Sequence, residues 1–271
     1  MMHDTLPLER RLDSLGRVLL GYSGGVDSAL LAVVATETLG ADRFLAVIGR
    51  SASYPEVQWR AARAIAERFA IPLREMDTTE LDDPSYRANP TDRCYYCKSE
   101  LWQCARRLAR DLGYDALVDG TNADDVTEHR PGMRAAREFN VVSPLAELGW
   151  TKDMVRAAAR ARDIPIWDAP AAPCLSSRVQ YGLTITPGRL MQVEQGEALV
   201  RSFGITGDLR VRHLGDRARV EVSPEAIPRV RSLWADIVPA LRALGFPEAE
   251  LDPTGYRRGK LLDAGIVQAG T

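Results

Sequence analysis

Apolar and polar positions along the first half of the chain switch repeatedly between two periods. RVLLGYS, residues 17–23, is a short apolar run that ends in a polar, glycine-rich turn, as a buried strand does. DSALLAVVATETLG then takes helical spacing and stops at Gly40, a residue suited to ending a helix. FLAVIGRS predicts a second buried strand, and YPEVQWRAARAIAERFA an amphipathic helix opened by Pro55. PLREMDT predicts a short strand, the segment carrying Cys94 and Cys97 a helix, and ALVDGTN another strand. This β-α alternation predicts an α/β fold, a parallel sheet with helices on both faces. Ligands in such sheets bind at the carboxyl ends of the strands.

The pattern changes near residue 180. PGRLMQVEQGEALVRSFG reads as a helix, LRVRHL and ARVEV as strands on either side of a Gly-Asp turn, and PEAIPRVRSLWADIVPALRALG as one helix. A last strand is predicted near EAELDP. The α-β-β-α-β order predicts a small α+β domain over residues 183–271, after a nucleotide-binding domain over 1–182.

The first strand leads into SGGVDS, Ser23 to Ser28. Gly24 and Gly25 allow a tight turn and a close backbone approach to an anion. Loop N–H groups and the helix start then point at a phosphate, with the Ser23 and Ser28 hydroxyls as further donors. Asp27 repels a bare phosphate, so an acid here makes sense through a bridging Mg2+. The loop lacks the GK[ST] of a Walker sequence. DGTNADD, 119–125, offers Gly120, Thr121 and Asn122 to the nucleotide, with Asp124 and Asp125 as further Mg2+ ligands; a polar loop capping a helix is the plain alternative.

Cys94 and Cys97 stand three apart, on one face of a helix, and Cys174 follows a proline-rich stretch. Three thiolates can hold a 4Fe–4S cluster with one iron open. Core filling, a redox pair and zinc remain open, the last needing a fourth ligand from only three histidines. Cys104 lies roughly 10 Å further along the helix and is expected to fill space in the core.

Composition narrows the classes. The 271 residues are 45% hydrophobic in type and carry 35 basic against 37 acidic side chains, a net charge of −2. The balance argues against non-specific nucleic-acid binding. No long apolar run or leader pattern is present, so the chain is expected to be cytoplasmic, with no membrane partner and with cysteines outside disulfides.

SGGVDS matches the signature of the PP-loop ATP pyrophosphatases. Taken in order, SGGVDS, RCYYCKSEL, DGTNADD with HRPGMRAA, SPLAELGWTK, APCLSSRVQYG, LRVRHLGDRARVEV and GYRRGKL resemble the LarE family, the ATP-dependent sulfur transferases of nickel-pincer cofactor synthesis. The resemblance implies ATP and Mg2+ as cofactors and adenylation of a carboxylate of a pyridinium mononucleotide. Sulfur then replaces AMP to leave a thiocarboxylate. In some members a cysteine matching Cys174 is itself the sulfur donor. Members with all three cysteines are thought to bind a 4Fe–4S cluster, and this chain has that pattern, which implies Cys174 as a catalytic ligand. Arg210 and Arg212, alternating on one strand, are expected to grip the substrate phosphate, with Lys98 and Arg178 beside the cysteines as further substrate contacts. Glu221 is a further candidate for metal binding. A homo-oligomer and a sulfur-donor protein are expected partners. The rival readings are a tRNA thiolase, an amidating synthetase, and a non-catalytic nucleotide-binding regulator with a structural cluster.

Overall fold

The computed structural model describes residues 5–126, 131–170 and 173–257. Parts of three family motifs (129–130, 172 and 258–261) lie outside the described residues. The chain divides into two compact units, one of residues 1–51, 56–80 and 92–172, the other of 52–55, 81–91 and 173–271. The units do not follow a single break after residue 182, because two short excursions belong with the second. Their backbone and side chains are tied there: Leu175 N–H donates to Ser53 O at 2.8 Å, and Tyr86 Oη lies 2.6 Å from Ser176 Oγ. The buried Asn89 amide donates to the carbonyls of Val179, Gln180 and Leu183.

In the first unit β1 (Val18–Gly21), β2 (Phe44–Arg50), β3 (Leu73–Asp77) and β4 (Ala116–Val118) form a four-stranded parallel sheet in the order β3-β2-β1-β4. Val18, Leu19 and Leu20 are fully buried, as expected of a central strand covered on both faces. The Val26–Arg43 helix packs on one face and the Arg93–Leu112 helix on the other, the latter setting Trp102, Ala105 and Ala109 against Leu19, Val47 and Leu117. The first of these helices passes three residues beyond Gly40, but Gly40 interrupts it at φ 68°. ALVDGTN supplies a strand only as far as Val118, because Asp119 turns its carboxylate onto the N–H and hydroxyl of Thr121. The chain adds a parallel bridge from Val118 to Val142.

In the second unit β5 (Leu209–His213) pairs antiparallel with β6 (Arg217–Val222), which pairs parallel with β7 (Glu248–Leu251). Val211, Val220 and Val222 face Val200, Ile237 and Leu241 from helices, and Phe246 completes this core. The segment 224–245, expected as one helix, is a 3-10 turn followed by helices Ile227–Ser232 and Trp234–Ala243. Pro224 and Pro228 each open a helical turn, the position where a missing N–H costs nothing. No described helix is long and apolar enough to cross a membrane.

Candidate functional site

The Ser23–Ser28 loop joins the carboxyl end of β1 to a helix whose N-cap is Gly25, with Gly24 at φ 71°. The two serines close it: their hydroxyl oxygens lie 3.1 Å apart, Ser23 N–H reaches Ser28 Oγ at 3.3 Å, and Ser28 Oγ donates to Gly25 O at 3.0 Å. Gln58 holds the loop from the outside, donating to Ser23 O at 2.8 Å. Gly120 brings the DGTN segment against it. A Cβ at Gly120 would stand 2.8 Å from Ser28 N and 3.0 Å from Ser28 Cα, closer than a side chain tolerates.

Asn122 links the two segments. It is 1% exposed; its Nδ2 donates to Asp27 Oδ1 at 2.9 Å while its Oδ1 accepts the N–H groups of Asp124 and Asp125 at 3.0 and 3.1 Å. The amide therefore caps the short helix Ala123–Val126 and fixes Asp27 at once. Thr121 is committed to Asp119, which also accepts Ser143 Oγ at 2.8 Å. Asp124 Oδ2 accepts the backbone N–H of Lys152 at 2.8 Å.

Lys152, not singled out from sequence, places its ammonium on Asp27 Oδ2. It is the first residue of the Lys152–Ala161 helix, whose N-cap Thr151 accepts Met154 N–H at 3.3 Å. A cation at the positive end of a helix is unfavourable without an anion beside it. Asp27 meets that need in this structure, and a polyphosphate would meet it more strongly. The local signals were present, a threonine cap in SPLAELGWTK followed by lysine, but the partner carboxylate lies 125 positions away.

Cys94 is exposed and Cys97 half-buried on the Arg93–Leu112 helix of the first unit; Cys174 is half-buried in the second. Lys98 runs along Gly132, its ammonium 5.8 Å from the Trp102 ring centroid. Cys104 donates to Glu100 at 3.4 Å, and burial, helped by that glutamate, pushes its thiol up to about 11. None of the four cysteines forms a disulfide. Among the described residues no three histidine, cysteine, aspartate or glutamate side chains gather as a metal-holding group within either unit. Of the three histidines only His213 is described, and its Nε2 lies 3.1 Å from Gln192 Oε1.

The Cys174 loop is fixed by its arginines. Arg178, 4% exposed, donates from Nη1 to the carbonyls of Pro173 and Cys174 at 2.6 and 3.0 Å and pairs through Nε with Glu197 at 2.9 Å. Ser177 Oγ also donates to Cys174 O, at 2.7 Å. These bonds direct Arg178 at the loop backbone, while Cys174 itself is half-buried. Arg212 donates to Ser177 O and pairs with Glu221, both partners nearly fully buried, so Glu221 is bound to an arginine. Arg210 lies cross-strand from Glu221 and is 6% exposed.

The NAD synthase family model matches residues 9–92. An uncharacterized protein of Synechocystis sp. is 41% identical over 256 residues, covering 94% of this chain and 95% of that protein. Pyridinium-3,5-bisthiocarboxylic acid mononucleotide synthase of Lactiplantibacillus plantarum is 33% identical over 253 residues, 93% of this chain and 91% of the synthase. An uncharacterized protein of Methanocaldococcus jannaschii is 27% identical over 241 residues, covering 89% and 91%.

Proposed function

Since the chain belongs to the LarE family of PP-loop enzymes, that of the Lactiplantibacillus plantarum synthase, we propose that it catalyses ATP-dependent sulfur transfer to a carboxylate of a pyridinium mononucleotide. The observation that carries this reading is the grouping of Lys152, Asp27 and Asn122 on the Ser23–Ser28 loop. A serine-closed loop at a helix start, with a lysine from a second helix N-terminus, makes a positive seat for polyphosphate. ATP binds there with Mg2+, as in PP-loop enzymes generally, and Asp27, with Asp124 and Asp125 close in sequence to its partner Asn122, are the carboxylates proposed for the ion. Gly120 and Thr121 border the nucleotide. A Mg2+ held by Asp27 would supply positive charge to the polyphosphate, and Lys152 would then be available to the phosphate oxygens.

The substrate carboxylate oxygen attacks the α-phosphorus, the bond to the β-phosphate bridging oxygen breaks, and pyrophosphate leaves. Sulfide then attacks the acyl carbon, and AMP departs with the original oxygen, leaving the thiocarboxylate. Arg210 and Arg212 are proposed to receive the substrate phosphate, supported by their alternation along β5, which sets both guanidiniums on one face. Lys98, next to Cys97 on its helix, is proposed to attract the anionic substrate, and Arg178 to act through the Cys174 backbone. The three-cysteine pattern supports Cys94, Cys97 and Cys174 as ligands of a 4Fe–4S cluster, which would supply exchangeable sulfide.

Two measurements test the reading. The mononucleotide should elicit pyrophosphate release from ATP; release elicited instead by transfer RNA, or no release at all, contradicts the proposal. After anaerobic purification and turnover, about four irons per chain and an unchanged mass at Cys174 support the cluster. No iron, with Cys174 converted to dehydroalanine, makes that residue a consumed donor.

A further inference from the structure

Arg210 carries its charge at a cost. Burial lowers its pKa below the ordinary arginine value, and the positive charge of Arg178 lowers it further. What a buried guanidinium can offer an anion depends on how its plane is aimed.

Among the described residues two features aim it. Nη1 donates to Leu209 O at 2.7 Å, and the Tyr256 ring stacks on the guanidinium with Cζ 4.8 Å from its centroid. Tyr256 reaches this position through a built turn. Asp252, 6% exposed, accepts Thr254 N–H and Oγ1 at 2.9 Å and Gly255 N–H at 3.1 Å. Gly255 takes φ +76°, and a Cβ there would stand 2.7 Å from Val222 O, so the turn needs glycine. The next N–H, that of Tyr256, donates to the same Val222 O at 2.7 Å and locks the ring-bearing residue to the end of β6. A buried carboxylate, an obligate glycine and a strand-end bond thus converge on placing one ring over one arginine.

We propose that Tyr256 is a positioning residue for the phosphate of the mononucleotide, holding the Arg210 guanidinium in the plane that meets it. The inference rests on the assignment of Arg210 to that phosphate. Tyr256 does not touch the reacting carboxylate, so its effect falls on mononucleotide affinity and leaves ATP binding and the rate at saturation in place.

The test compares Tyr256→Ala, Tyr256→Leu, Tyr256→Phe and Arg210→Gln in the full chain. Equilibrium binding of the mononucleotide without ATP is read beside kcat and KM for each substrate. Tyr256→Ala and Tyr256→Leu should raise the mononucleotide Kd and KM about thirtyfold, the scale of a desolvated cation–π contact, while KM for ATP and kcat hold. Tyr256→Phe should keep the wild-type affinity, because the ring face is retained. Full affinity in Tyr256→Leu shows that bulk alone matters and overturns the proposal, as does an unchanged Kd in Tyr256→Ala when Arg210→Gln weakens binding. An unchanged Kd in Arg210→Gln overturns the phosphate assignment itself, and the proposal with it.

Discussion

At the scale of single residues, the proposed nucleotide site turns on Asp27 having two partners of opposite use. Asn122 fixes one carboxylate oxygen with a buried amide, and Lys152 holds the other with a mobile charge. Replacing Lys152 by methionine should lower pyrophosphate formation about 100-fold, the usual scale for losing one preorganised electrostatic contact. Circular dichroism should stay that of the wild type; an unchanged rate removes Lys152 from the mechanism. SGGVDS reads as a phosphate loop from sequence because its chemistry is local: two glycines, two hydroxyls and an acid in six residues. Lys152 and Glu197 were not legible, since each acts through a partner brought near only by folding. Arg178 shows the reverse limit. Its place beside Cys174 was visible, but the direction of its donors, into the loop backbone, depends on Glu197 in a later helix.

At the scale of elements, strands and helices with a single strong period came through the sequence well. The apolar runs of β1 and β2 and the amphipathic Glu56–Arg68 and Arg93–Leu112 helices stand where their patterns put them. The 224–245 segment misled because helical spacing continues through the 3-10 turn opened by Pro224 and through the break at Leu233. The excursions 52–55 and 81–91 had no periodic signal, and their allegiance to the second unit rests on Ser53, Tyr86 and Asn89. The Thr151 cap belongs to this scale too, because it holds the helix that presents Lys152. Thr151→Ala should destabilise the protein by about 1 kcal/mol, seen as a lower urea midpoint with an unchanged slope. A midpoint equal to that of the wild type means the helix start is fixed by Lys152 N–H on Asp124 instead.

At the scale of the whole molecule, near-neutral charge hides a segregated interior, with buried arginines and carboxylates gathered in the second unit. His213 sits in that unit, 4% exposed, its ring 5.2 Å from that of Phe246. Burial, and then the charge of Arg189, lower its pKa from 6.5 to about 4, against an opposing pull from Asp216. The unfolded chain therefore takes up this proton first as pH falls. Stability from neutral His213 is complete above pH 6.5 and is lost on descent towards pH 4, by about 3 kcal/mol at the limit. Denaturation from pH 7.5 to 4.5 should show this loss, and His213→Gln should flatten it; equal slopes in both proteins refute the assignment. Sulfur transfer is the central claim at this scale, and product stoichiometry under anaerobic conditions, with ATP, the pyridinium mononucleotide and a sulfide source, tests it most directly. The account predicts thiocarboxylate by mass spectrometry beyond one equivalent per chain, with one AMP and one pyrophosphate for each sulfur installed. AMP and pyrophosphate formed without any thiocarboxylate would contradict it.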